Sequence, residues 1–176
     1  MRALGALFLG IVFLSSLYFV SARFVSGVSV EPQVLASSTE LTQSQRLFLD
    51  KINSIRKEAG ASELNYSNEI EGLTDFRVLD MSNREYYSHK TPDGVTYAKY
   101  LREYNIATDF SCENLQLQIG PDINEAINAW VNSTPHYNCL IDNRLNNLAF
   151  SYMPYMLQEN EAEQDMTFVF AMIASN

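Results

Sequence analysis

Residues Ala3 to Ala22 run for twenty positions without a charge and are rich in Leu, Phe, Val and Ile. As a helix, such a run matches the hydrocarbon thickness of a bilayer, and it has no polar face with which to lie on a globular core. The folded body must come from the residues after Ala22. Residues 1–25 are therefore expected to form an N-terminal transmembrane anchor or a signal peptide. Val20-Ser21-Ala22 offers the small residues of a cleavage site, whereas the run exceeds the usual signal core of about 7–15 residues, which favours a retained anchor. Arg2 and the chain amine outweigh Arg23, which orients the N-terminus inside and the body outside. The expected location is membrane-anchored with an extracytoplasmic domain, residues 3–22 contacting the membrane, or secreted if the segment is cleaved.

Residues 26–44 carry Ser, Thr and Gln without sustained periodicity and read as a flexible linker, which leaves 45–176 for the domain. Arg2 and Arg23 cancel Glu31 and Glu40 within the first 42 residues, so the whole net charge of −9 belongs to the remainder. An acidic body lacks the clustered Lys and Arg that grip phosphate backbones, so nucleic acid is excluded as a partner. Cys112 and Cys139 make an even pair, which fits an oxidising compartment, although two separate buried thiols satisfy the count as well. Asn65 and Asn132 stand in glycosylation-acceptor patterns, which matter only in a eukaryotic host.

Along the body, Leu47, Phe48, Ile52, Ile55 and Ala59 recur at helical spacing, with Thr42 or Ser44 as a cap and Gly60 as a stop. A second helix is expected from about Ser67 to Arg84, and a third from Val95 to Tyr104, ended by Asn105. Between them Thr91-Pro92-Asp93-Gly94 reads as a turn. Asn114 to Gly120 alternates polar and apolar as a half-buried strand should, with Glu113 at or just before its start. Pro121 to Glu125 opens another helix carrying Ile123, Ala126, Ile127 and Trp130, and Asp122 with Glu125 has capping-box spacing. Ser133-Thr134-Pro135 is expected to end that helix and expose His136 just beyond it. Leu145 to Tyr152 and Met166 to Ala174 form an antiparallel pair on either side of an acidic loop, the second being the central strand. The pattern predicts an α+β body.

The only two histidines, His89 and His136, fall in turn-rich segments separated by 47 positions. Imidazole and carboxylate bind divalent metals and move protons near neutral pH, so Glu113 and Glu125 between them complete a candidate site. Glu125 has a competing role as a helix cap.

The order of these segments resembles the CAP superfamily (cysteine-rich secretory proteins, antigen 5, pathogenesis-related 1), also called the SCP domain, in its short bacterial form. The likeness covers about residues 45–174. Asn53-x-x-Arg56 is similar to the family's opening helix, Ser88-His89 with Pro92-Asp93-Gly94 to its first histidine segment, and Glu113-Asn114-Leu115 to its Gly-Glu-Asn element. Glu125 to Trp130 resembles its Glu-to-Trp helix and Ser133-Thr134-Pro135-His136 its Ser-Pro-Gly-His loop. Cys112 replaces the Gly before Glu-Asn, Thr134-Pro135 replaces Pro-Gly, and Asn105 stands where Gly is usual.

The resemblance implies an α-β-α sandwich with a small antiparallel sheet covered by helices, and a cleft lined by His89, Glu113, Glu125 and His136. It implies that His89 and His136 can hold a divalent metal such as zinc. If Glu113 and His136 share that cleft, their neighbours Cys112 and Cys139 are close enough for a disulfide. Two imidazoles supply half of a tetrahedral zinc shell, which leaves room for water, and a carboxylate beside metal-bound water is a recipe for hydrolysis with Glu113 and Glu125 as candidate catalytic groups. No His-Glu-x-x-His and no activated Ser or Cys accompanies them. The expected function is accordingly a binding module for a lipid, another small apolar ligand or a protein partner. Tyr86, Tyr87, Tyr97, Tyr100 and Tyr104 are candidates to line its groove. The alternatives are a metal-dependent hydrolase and a structural surface module with an idle cleft.

Overall fold

The computed structural model describes residues 40–155 and 166–176. The expected anchor (1–25), most of the expected linker (26–44) and the acidic loop lie outside the described residues. No helix among the described residues is long and apolar enough to cross a membrane.

The body opens with helix α1 (Gln43–Glu58), two residues earlier than the linker boundary allowed. Thr42 and Gln45 explain the start: the Thr42 hydroxyl accepts from the Gln45 amide at 3.2 Å, and the Gln45 side chain accepts from the Thr42 amide at 2.6 Å. The inward stripe is Phe48, Ile52 and Arg56, while Leu47 stays exposed. Arg56 is buried among apolar residues because its guanidinium serves the end of another helix. It donates to the Ser62, Leu140 and Asp142 carbonyls at 2.6, 2.7 and 3.1 Å.

A short strand β1 (Asn65–Tyr66) precedes α2 (Asn68–Asn83), which Ser67 caps through the Ile70 amide. Helix α3 (Tyr97–Glu103) is shorter than the spacing suggested, and Asn105 ends it in the left-handed region at φ 57°. Strand β2 (Ser111–Ile119) leads into α4 (Ile123–Val131). The first turn of α4 is capped by Asp122, which accepts from the Asn124 amide at 2.8 Å. Helix α5 (Thr134–Ile141) then replaces the expected loop. Ser133 is its N-cap residue, and Pro135 falls in the first turn, where its missing N–H has no intrahelical role. Strands β3 (Asn147–Pro154) and β4 (Thr167–Ser175) complete the chain.

The sheet order is β1-β3-β4-β2, so β4 lies between β3 and β2 and pairs antiparallel with both. The brief β1 pairing with β3 is parallel, a departure from the all-antiparallel expectation. Alternation along the strands divides the core in two. Leu148, Phe150, Phe170, Met172 and Ala174 face α1, α4 and α5, where Phe48 stacks on Phe150 at 4.0 Å and meets Trp130 edge-on at 6.1 Å. Ala149, Leu115, Val169, Ala171 and Ile173 pack on the opposite side with Leu73, Val78 and Met81 of α2 and Leu101 of α3. Helices therefore cover both faces, and the fold is an α-β-α sandwich.

Replacing Arg56 by Met leaves three carbonyls without their charged donor. The expected loss is about 3 kcal/mol of unfolding free energy, measured by guanidinium denaturation. A loss below about 1 kcal/mol would mean that water substitutes for the guanidinium.

Candidate functional site

Strand β2 lies at an outer edge of the sheet, and its side chains alternate between the two helical layers. Glu113 sits opposite Ile173 in the ladder and faces α2 with it, so it lies inside the strand rather than at its start. Its neighbours Cys112 and Asn114 face the other layer. Cys112 forms a disulfide with Cys139 of α5, with the Cα atoms 6.0 Å apart, and the Asn114 side-chain amide donates to the His136 carbonyl at 3.1 Å. One short segment of β2 thus holds α5 on one side and the His89 loop on the other.

On the α2 side, the Glu113 side chain is fully buried. Its Oε1 accepts from Arg77 Nε at 2.8 Å, and its Oε2 pairs with His89 Nδ1 at 2.8 Å. His89 itself is half exposed, on a loop whose Thr91–Gly94 turn is closed by the Gly94 amide bonding to the Thr91 carbonyl at 2.8 Å, with Gly94 at φ 80°. Tyr87 and Tyr97 lie near enough to feel the Glu113 charge. Burial first and that charge after it raise both phenols above their ordinary value. The Tyr97 hydroxyl also donates to the Ser111 carbonyl at 2.9 Å.

His136 lies in the first turn of α5 and is partly buried. Burial, and then the nearby His89, hold it below its ordinary value of 6.5, so the ring is neutral at neutral pH. Glu113 and Asn114, adjacent on β2, bond to the His89 ring and to the His136 carbonyl respectively. Glu125, by contrast, lies exposed in the first turn of α4. Among the described residues no hydrogen bond or ion pair joins it to His89, Glu113 or His136. The tyrosines divide as well: Tyr86, Tyr87 and Tyr97 border the Arg77–Glu113–His89 group, whereas Tyr100 and Tyr104 pack against Phe76 at 4.9 and 6.4 Å.

The family model of the cysteine-rich secretory protein family (CAP) matches residues 49–170. The chain belongs to this family. Solved structures agree on the CAP fold. An outer surface protein from Borrelia burgdorferi superposes with a TM-score of 0.60 at 18% identity, over 74% of this chain and 92% of that one. An extracellular protein containing an SCP domain from Bacillus anthracis gives 0.57 at 20% identity, over 76% of this chain and 44% of its own. A cysteine-rich secretory protein from Staphylococcus aureus gives 0.53 at 12%, over 77% and 40%. This CAP chain thus spans less than half the length of the last two. No protein with a curated description matches the sequence.

In this CAP domain, the donors available to a metal are imidazole nitrogens. With Nδ1 occupied by Glu113, His89 has Nε2 left to offer, and among the described residues no hydrogen bond reaches the His136 ring. Glu113 stands behind His89 as the carboxylate that orients a ligating imidazole, an arrangement that suits a metal site. Among the described residues no group of three or more His, Cys, Asp or Glu side chains has the geometry to hold a metal. Sequence reasoning missed Arg77. The available signal was its place between Leu73 and Met81, four residues from each on a stripe that is otherwise buried and apolar.

Two measurements check this geometry. An NMR titration of the His136 ring should give a midpoint below 6.5. The unfolded chain protonates at the ordinary value. Stability therefore falls as pH drops from 6.5 through the folded midpoint and is independent of this group above that window. A midpoint at or above 6.5 would mean that burial and His89 do not govern the ring. Replacing Cys112 and Cys139 together by Ser should cost about 3–4 kcal/mol on chain-entropy grounds for their 27-residue separation. Two free thiols in non-reducing mass spectrometry of the protein would refute the bridge.

Proposed function

We propose that the protein is an extracytoplasmic CAP module, tethered to a membrane by residues 3–22, that binds rather than hydrolyses. Its histidine pair, His89 and His136, takes up a divalent cation such as zinc. The observation that carries the choice of binding is the engagement of Glu113: one oxygen is held by Arg77 and the other by His89. A general base must also be within reach of the water it deprotonates, and the Glu113 side chain is fully buried. Glu125, the other candidate, is exposed on α4, and among the described residues no bond joins it to the histidines. A neutral His136 and a free His89 Nε2 are the forms in which imidazole ligates metals.

The extracytoplasmic setting is supported by the uncharged N-terminal run and by the disulfide, which persists in oxidising compartments. The structural neighbours carry the descriptions outer surface, extracellular and secretory. Exposed Tyr87 at the rim offers an aromatic contact to a small apolar ligand or a partner protein.

The test is a zinc titration by calorimetry of the full chain in detergent micelles, beside His89→Ala and His136→Ala. Wild type should bind one zinc, and each variant should lose at least about tenfold in affinity, the effect of removing one of only two protein ligands. Equal uptake by all three proteins would defeat the metal reading.

A further inference from the structure

Among the described residues Arg77 is the one guanidinium that touches the candidate site, and it is fully buried. It reaches His89 by two routes. Through the side chains, Arg77 Nε holds Glu113 Oε1 at 2.8 Å, which turns Oε2 towards His89 Nδ1 at 2.8 Å. Through the backbone, Arg77 Nη2 donates to the Ser88 carbonyl at 2.9 Å, one residue before the histidine. Its remaining arm is fixed as well. Nη1 donates to the Tyr86 hydroxyl at 2.7 Å, and that hydroxyl donates to Asp80 at 2.5 Å.

We propose that Arg77 is a positioning residue for His89: it clamps the imidazole's carboxylate partner and its backbone together, so that Nδ1 carries the ring proton and Nε2 presents its lone pair. The inference rests on the reading of His89 as a metal ligand and identifies what prepares that ligand. A carboxylate can only accept from a neutral imidazole at the nitrogen that bears hydrogen, so the Glu113 contact selects the tautomer. The choice of arginine follows from geometry. A planar fork addresses a carboxylate, a carbonyl and a phenol in fixed directions, whereas an ammonium on a flexible stem does not. Stability alone is a weak reason for the pair, because a buried ion pair often does no better than well-packed apolar residues of the same volume.

The test uses the full chain in detergent micelles, labelled with nitrogen-15 and free of metal, at a pH well above the imidazole range. Two-bond proton–nitrogen correlations report which nitrogen of each ring is protonated. Wild type should show His89 with the proton on Nδ1. Arg77→Lys, which keeps the charge and loses the fork, should move His89 towards the Nε2–H form and weaken zinc binding by about 10–100-fold, the usual cost of losing a partner behind a metal ligand. Tyr86→Phe removes only the hydroxyl that anchors Nη1, so it should shift both readouts in the same direction by less. It also keeps the test open if Arg77→Lys does not fold.

A wild-type His89 protonated on Nε2 overturns the proposal at once. So does an Arg77→Lys protein that is folded, keeps the wild-type tautomer and binds zinc as tightly as wild type. Should Arg77→Lys not fold, an unchanged tautomer and unchanged affinity in Tyr86→Phe overturn it instead. If wild type takes up no zinc at all, the metal reading fails by itself, while the metal-free tautomer measurement still decides whether Arg77 sets the state of His89.

Discussion

Strand β4 is the element on which the rest depends. Its residues Val169 to Ser175 are buried without interruption, with ladder partners on both sides and helices on both faces. A strand with no exposed face cannot sit in a single-layer sheet, since each face must be withdrawn from water by an apolar surface. The two helical layers follow from that requirement, and side-chain size sets how each packs. Ala149 and Ala171 on one face let α2 lie close, while Phe150 and Phe170 on the other fill the space under α1 and α4.

Pairing with β4 fixes the register of β2, and the register places the site. Glu113 opposite Ile173 must point towards α2, and a slip of one residue would send it to the α5 side and Cys112 to the α2 side. Antiparallel pairing along the whole of β2, together with the disulfide to α5, opposes such a slip. The site is thus a consequence of alternation: adjacent residues on one edge strand reach opposite layers, Glu113 to the His89 side and Asn114 to the His136 carbonyl.

Most of the fold was legible because its signals are local. Helical spacing with a cap at Thr42 or Ser44, a helix start at about Ser67, a capping residue at Asp122, a left-handed stop at Asn105, and two apolar β-rich runs at the end all reappear within a few residues of their expected bounds. Two features were not legible for physical reasons. Ser-Thr-Pro reads as a helix end when the preceding helix is considered, yet the same residues are good first-turn residues, and only packing against α1 and β2 decides that α5 forms. The two-residue β1 has no periodicity of its own, and its parallel pairing depends on a long-range partner in β3.

Within the site, sequence motifs located residues better than roles. Glu113 and Glu125 look alike as carboxylates near histidines, but one sits in a strand interior and the other on the outer face of a helix's first turn. The residue that distinguishes them chemically is Arg77, which belongs to no histidine segment. It lies on the stripe of Leu73 and Met81, where an unpaired charge would be costly, so it needs buried acceptors: Arg56 finds carbonyls, whereas Arg77 finds an anion. Glu113 is that anion, and its strand continues with Asn114 and Leu115, both buried. Arg56 meets carbonyls and Arg77 meets a carboxylate, so the fold, not the stripe, decides the long-range contact that a buried arginine makes. For Arg77 the contact joins α2 to β2 beneath His89.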